Sequence, residues 1–303
     1  HLYQRQFSMQ HLKNRWRSEG GYREVLVVAI PLILSTATWS VQHFVDRMFL
    51  TWYSPEAIAA AMPAGLLNFS MVSLFMGTAG YVTTFVAQYY GAERYDRIGP
   101  ALWQGVYVSF LGGLAIVCAI PFAEPVFRLV GHSPLVQQNE VAYFQILCLG
   151  AGAYSASYAL SGFFSGRGKT WPVLWVNAAT TVVNLVLDYA LIFGRWGFPE
   201  LGIKGAGIAT VVAGVFSVLM SFAILCSRSN NNTFQTIKGW RLERDLFVRL
   251  LRYGFPSGVQ FFLEMAGFTA FVLLVGRLGI ASLAATNIAF NINTLAFMPM
   301  IGC

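Results

Sequence analysis

Three carboxylates, Asp46, Asp188 and Glu264, interrupt long apolar stretches of this chain, and Asn184 stands four residues before Asp188. A carboxylate at bilayer depth costs about 2.5–3.5 kcal/mol on insertion scales, so it usually faces a polar cavity or is kept for a function. Residues four apart share a helix face, which puts Asn184 and Asp188 side by side. Two neighbouring carboxylates in a low dielectric cannot both ionise cheaply. Asp46, Asn184 and Asp188 are therefore expected to take up a proton together, or to hold a monovalent cation such as Na+ between carboxylate and amide oxygens. A plainer reading pairs Asp46 with Arg47 near an interface and leaves Asp188 as interhelical glue. The other ten of the 13 acidic residues are read as lying at termini, in loops or at helix ends.

The elements that must position these groups are helices. Of 303 residues, 56% are hydrophobic and 11% charged, and the mean hydropathy is +0.57. Soluble domains average about 25% charged residues. Eight apolar segments follow one another, at 25–50, 56–90, 98–122, 138–165, 171–194, 201–227, 246–276 and 281–303. Runs of about 20 apolar residues suit a bilayer, so the expected fold is an all-α integral membrane protein, a polytopic helical bundle in the lipid bilayer. The net charge of +7 lies between the apolar runs, as topology determinants do, and no nucleic-acid motif accompanies it. With the N-terminus in the cytoplasm, 15 Lys and Arg fall inside and 5 outside, as the positive-inside rule requires. That topology puts Asp46 and Asp188 at matched depth, each about five or six residues from the outer end of its helix.

An internal repeat supplies the architecture. Pro31 and Pro256 are 225 residues apart, and at that offset Ala57-Ile58-Ala59-Ala60 falls on Ser282-Leu283-Ala284-Ala285, Asn68 on Asn293 and Gly77 on Gly302. Six helices precede the second copy, so the repeats are parallel. The expected layout is a cytoplasmic segment 1–24, an N-lobe 25–227, a cytoplasmic inter-lobe loop 228–245 and the start of a C-lobe at 246–303. A chain that opens on His1 and stops at Cys303 inside an apolar run is expected to be part of a longer protein, of about 450–480 residues and 12 helices. Pro31 and Pro256 are candidate hinges, since proline kinks a helix. Glu264 aligns with Trp39, so the lobes differ chemically, and Glu264 is a candidate protonatable group facing a central cavity.

Gln42, Tyr154, Tyr158, Asn287, Asn291 and Asn293 are weaker candidates for lining that cavity; His43 reads as a polar wall and His132 as a loop residue. No P-loop, metal-ligand cluster, GxSxG or Rossmann fingerprint occurs, so no cofactor is expected beyond a coupling ion. An intramembrane aspartyl enzyme would need a YD or GxGD pattern around Asp46 and Asp188, and neither is present. A scaffold or receptor would have no use for carboxylates buried at matched depth.

The stretches IPLILSTATWSVQHFVDRMF, AIAAAM, VAQYYGA, GFFSGRGKT, NLVLDYALIFG, LGIKGAGIAT and GFPSGVQFFLEMAGF, then LAATNIAFNI, together resemble the multidrug and toxic compound extrusion (MATE) transporters, of the bacterial NorM-like type. The resemblance runs over residues 25–303. It implies two six-helix lobes around a central cleft, while the short loops and the lack of a targeting sequence point to a bacterial inner membrane, where the protein is expected to act as a monomer. The resemblance also implies secondary active export of amphipathic organic cations in exchange for H+ or Na+. On this resemblance Pro31 and Asp46 match the first-helix proline and aspartate, Asn184 and Asp188 the fifth-helix pair, Glu264 the seventh-helix glutamate, and Thr210 a threonine near the N-lobe cation site. A lipid-linked precursor flippase of the same superfamily is the alternative, though flippases tend toward basic cavities.

Overall fold

The computed structural model describes residue 16 and residues 22–276, and among them every regular element is helical. The first apolar run forms α1, Tyr22–Tyr53. Ser54 then caps α2, Pro55–Gly80, its Oγ accepting from the Ala57 N–H at 3.1 Å. The second run is interrupted at Tyr81 and continues as α3, Val82–Gly91. Next come α4, Ile98–Val117, and the short α5, Ala123–Val130, which ends on Gly131 at φ 81°. The bundle is completed by α6, Pro134–Ser165, α7, Trp171–Ile192, and α8, Ile203–Leu225. A short α9, Arg228–Phe234, and a single 3-10 turn lead into α10, Arg244–Gly276. Six spans between Val25 and Leu225 are long and apolar enough to cross a membrane. Residues 281–303, with Asn287, Asn291 and Asn293, lie outside the described residues.

One expectation fails in α6. The helix starts at Pro134 rather than 138, so Glu140 is six residues inside it and fully buried, not at a helix end. Both candidate hinge prolines sit inside continuous helices, Pro31 in α1 and Pro256 in α10. Proline leaves a carbonyl in the preceding turn short of a donor. Pro31 leaves the Val27 carbonyl without its helical donor, and the adjoining Val28 carbonyl accepts from the Thr170 hydroxyl at 3.0 Å, a hydroxyl contact of the kind that supports proline-interrupted membrane helices.

α6 is the central element: α2, α4 and α8 pack on it, α7 packs on α8, α1 on α7, and α10 on the far side of α2. Glycines set the closest approaches. A side chain on Gly113 of α4 would meet the Gly152 backbone of α6 at 2.6 Å, and one on Gly258 of α10 would meet the Leu74 carbonyl of α2 at 2.2 Å. Small residues bringing backbones together are the usual device of membrane helix pairs.

The segment after α8 is fastened to α4. Trp103 Nε1 donates to the Thr236 carbonyl at 2.7 Å, Gln104 Nε2 to that of Arg241 at 3.4 Å, and Tyr107 Oη to that of Trp240. Arg97 pairs with Glu243 at 3.0 Å. Phe234 is buried against Phe163 and Tyr95. Against these rings lies Arg167, 8% exposed, its guanidinium 3.6 Å from the Phe163 centroid and 4.5 Å from that of Phe234. Burial pulls its pKa down to about 10, which leaves it charged at neutral pH. Its Nε donates to the Phe163 carbonyl at 2.8 Å. A planar guanidinium stacks on an aromatic face where an ammonium cannot. Arg167→Lys is therefore expected to cost about 1–2 kcal/mol of stability, and an unchanged thermal midpoint in detergent would remove this role.

Candidate functional site

A polar seam runs between α1 and α7. On α7, Asn177, Thr181, Asn184 and Asp188 recur at spacings of four, three and four, one stripe of an otherwise apolar helix. On α1, Ser35, Gln42 and Asp46 face them. Asn177 Nδ2 donates to Ser35 Oγ, and Thr181 Oγ1 donates to Gln42 Oε1 at 3.4 Å. The seam ends at the two carboxylates near the Ser54 end of the bundle. Asn184 and Asp188 are 0% exposed, and the Asp46 and Asp188 carboxyl groups are close enough to hydrogen-bond each other.

Asn184 holds the cluster together. With its amide nitrogen turned toward the carboxylates, it lies 3.0 Å from Asp46 Oδ1 and 3.2 Å from Asp188 Oδ2. The same position is 3.1 Å from the Gln42 side-chain nitrogen, an acceptor only if Gln42 presents its oxygen. With the Asn184 oxygen there instead, Gln42 donates to it and a protonated Asp can do the same. Half-turns of the Asn184 and Gln42 amides together thus suit either charge state of the pair. Asp188 Oδ1 is buried without a partner, and an unsatisfied buried carboxylate oxygen is costly. A proton or a Na+ ion on that oxygen would satisfy it. Among the described residues no ion pair joins Asp46 to Arg47, whose residue is exposed.

The other predicted residues divide. Tyr154 reaches the site's surroundings: its hydroxyl accepts from Trp39 Nε1 at 2.7 Å, and it interacts electrostatically with Asp46. Tyr158 does not, since its ring lies against Gly80 of α2. Thr210 turns its hydroxyl back onto the Ala206 carbonyl at 3.0 Å. Glu264 is exposed and accepts from Gln260 Nε2 at 2.9 Å, one turn away on α10. His43 stacks edge-on against Trp39, with ring centroids 4.8 Å apart. Sequence reasoning missed Tyr143 of α6, which interacts electrostatically with both Asp46 and Asp188. It also missed the lower seam, although the 177–181–184–188 stripe is readable by helical spacing alone.

Comparison with known proteins gives this geometry a family. The MatE family model matches residues 31–190 and 256–303, more than half of the chain, and the two stretches begin at Pro31 and Pro256, the prolines that align the repeat. The chain is 29% identical over 280 residues to a probable multidrug resistance protein NorM of Bradyrhizobium diazoefficiens, covering 92% of this chain and 60% of that protein. It is 30% identical over 272 residues to a probable NorM of Burkholderia pseudomallei, covering 89% and 58% respectively. The chain thus spans about 60% of the length of the curated relatives it matches. Among solved structures, an outward-facing multidrug resistance MATE family transporter of the MOP superfamily superposes with a TM-score of 0.81 at 20% identity, over 92% of this chain and 61% of that one. A MOP superfamily transporter from Pyrococcus furiosus Vc1, described as having a binding pocket of reversed polarity that suggests a different function, gives 0.80 at 20% identity, over 92% and 61%. These likenesses establish the transporter fold, and the family match, opening twice on the repeat's own prolines, places this chain in the MatE family.

Proposed function

We propose that the full-length protein is a multidrug efflux transporter, not an enzyme, that exports amphipathic organic cations in exchange for H+ or Na+ by alternating access. The observation that carries this reading is the cluster of half-buried Asp46 with fully buried Asn184 and Asp188, in which two acidic groups share one amide and leave Asp188 Oδ1 unsatisfied. A site that must bind and release a small cation needs this kind of incomplete coordination. The names of the curated relatives support multidrug resistance as the outcome.

In this reading the Ser54 end faces outward and the N-terminus lies in the cytoplasm of a bacterial inner membrane. The helices up to α8 form the N-lobe, and α10 opens a C-lobe of the same topology, for 12 helices acting as a monomer. An ion from outside binds the cluster, changes the packing of α1 around Pro31 and weakens the hold on the drug. Glu264 contributes from the second lobe, and Thr210 stands near the N-lobe cation site. The acidic character of the cluster favours cationic cargo over the anionic cargo of a lipid-linked precursor flippase. Full-length protein in proteoliposomes is expected to move ethidium against an imposed H+ or Na+ gradient and to stop when that gradient is collapsed. Ethidium movement indifferent to both gradients would sink ion coupling.

A further inference from the structure

The 226–252 segment carries a pattern that ion coupling does not use. It holds six Lys and Arg against two acids, Glu243 and Asp245. Glu243 is taken by Arg97, while Arg249 lies over the Phe85 ring at 5.7 Å and Arg252 over that of Tyr253 at 6.0 Å. Among the described residues no carboxylate pairs with Lys238, Arg241 or Arg244, and all three are exposed. Interleaved with them are Ile237, Trp240 and Leu242, the last two 60% and 62% exposed. A loop in water gains nothing by presenting a tryptophan and a leucine beside its cations. Nor is this a loose chain, since the Thr236, Trp240 and Arg241 carbonyls are bound by Trp103, Tyr107 and Gln104 of α4. The backbone is fastened, and the side chains are left to the surroundings.

What those surroundings are follows from α4. The segment covers Trp103, Gln104 and Tyr107, and the same helical stripe continues at Phe110, Leu111 and Leu114, all exposed. Farther along, Phe122, Val126 and Leu129 are exposed as well. The 110–129 stretch matches the ~20 residues that a bilayer core requires. The segment therefore lies beside the acyl chains at the level of the lipid headgroups, on the Ile98 side. Tryptophan is enriched at that level, with its ring partly in hydrocarbon. Long basic side chains there lay their stems on apolar surface and keep their charges among the phosphates, and a guanidinium donates to two phosphate oxygens at once.

We infer that the 237–244 stretch is a binding site for an anionic phospholipid headgroup. Lys238, Arg241 and Arg244 supply the charge, and Trp240 and Leu242 the contact with glycerol and the upper acyl carbons. Continuity with the lipid-facing stripe of α4 selects a lipid over a free phosphate or a soluble acidic peptide. Under the orientation proposed above, the lipid belongs to the cytoplasmic leaflet. The inference rests on the spans crossing a bilayer and on neither ion coupling nor cargo, so loss of export activity leaves it standing.

The test titrates phosphatidylglycerol into full-length protein in neutral-detergent micelles and follows the thermal midpoint, which a ligand of the folded state raises by mass action. Each Lys or Arg near an anionic lipid adds about fivefold to affinity, so Lys238→Gln/Arg241→Gln is expected to need about 25-fold more lipid for the same rise. Two other doubles are expected to stay within about twofold of wild type. One is Arg195→Gln/Lys204→Gln, which removes equal charge at the opposite end; the other is the charge-keeping swap Lys238→Arg/Arg241→Lys. Trp240→Ala is expected to weaken binding too, because the site is partly apolar. Equal weakening by both glutamine doubles would reduce the effect to net charge, and loss of binding in the charge-keeping swap would reduce it to a folding defect. An equal rise with phosphatidylcholine, inorganic phosphate or polyglutamate would replace the headgroup by any lipid, a free anion or an acidic peptide. Each of these results overturns the inference, as does a wild-type midpoint that phosphatidylglycerol does not move.

Discussion

Asp46→Asn is expected to reduce ion-driven export by the full-length protein to the background of a membrane without transporter. Asparagine reproduces the shape of aspartate, so the α1–α7 packing survives. What disappears is the second carboxyl: Asn184 loses an acidic acceptor 3.0 Å away, and Asp188 loses the neighbouring carboxyl with which, on the proposed function, it would share a proton or cation. A ligand can shift a conformational equilibrium only by its differential affinity for the two states. A cluster that no longer binds the coupling ion therefore cannot drive the change, however well the drug binds. Asp188→Asn is expected to do the same. Removing a charge from a fully buried site is neutral or stabilising by about 1 kcal/mol when the replacement fills the same volume. The checking measurement is paired: ethidium accumulation in drug-sensitive cells, and the thermal midpoint of the purified variant. Retained export with a lowered midpoint would assign the aspartates to structure and end the proposed role.

The second large effect concerns stability. Gly258→Val is expected to destabilise the full-length protein by about 3 kcal/mol or more. A Cβ at Gly258 would stand 2.2 Å from the Leu74 carbonyl oxygen and 2.2 Å from Thr78 Oγ1, and Gly77 opposite is itself close against the Gly258 backbone. Thr78 cannot swing freely, because its hydroxyl donates to that same Leu74 carbonyl at 2.7 Å. The obstacle is backbone, so α2 and α10 must part. Parting them also strains the Ser70–Thr269 hydroxyl contact at 3.2 Å and the Phe69–Phe261 edge contact. Gly91→Ala, where an added Cβ meets nothing within 4 Å, is the control and is expected to leave the midpoint unchanged or slightly raised. Equal midpoints for Gly258→Val and wild type would mean that the two helices do not meet there.

The helices and the candidate polar cluster were legible for different reasons. Apolar length located the spans, and three charges inside them stood out because a bilayer tolerates so few. Asp46, Asn184 and Asp188 converge because two helix registers and one topology fix their height, and both registers are readable from residue number. Glu140 was misplaced because its burial depends on where α6 begins, and Pro134 starts that helix a full turn before the apolar run does. Tyr143 was passed over for Tyr154 and Tyr158 because spacing along one helix does not say which side faces α1 and α7. The fastening of the 226–243 segment was beyond reach for a deeper reason. Trp103, Gln104 and Tyr107 bind the carbonyls of Thr236, Arg241 and Trp240, and every residue has a carbonyl whatever its side chain.

That fastening changes how the polypeptide can be cut or extended. A polar segment between two membrane bundles is the usual place to insert a tag or a fluorescent domain, since exposed connections normally tolerate it. Here three carbonyl contacts, an ion pair and a buried phenylalanine hold five of the ten residues from Phe234 to Glu243 in register. An added residue would have to be absorbed by undoing those contacts in turn. The more forgiving site is the Arg195–Phe198 turn at the opposite end, where all four residues are exposed and Gly197 faces open space.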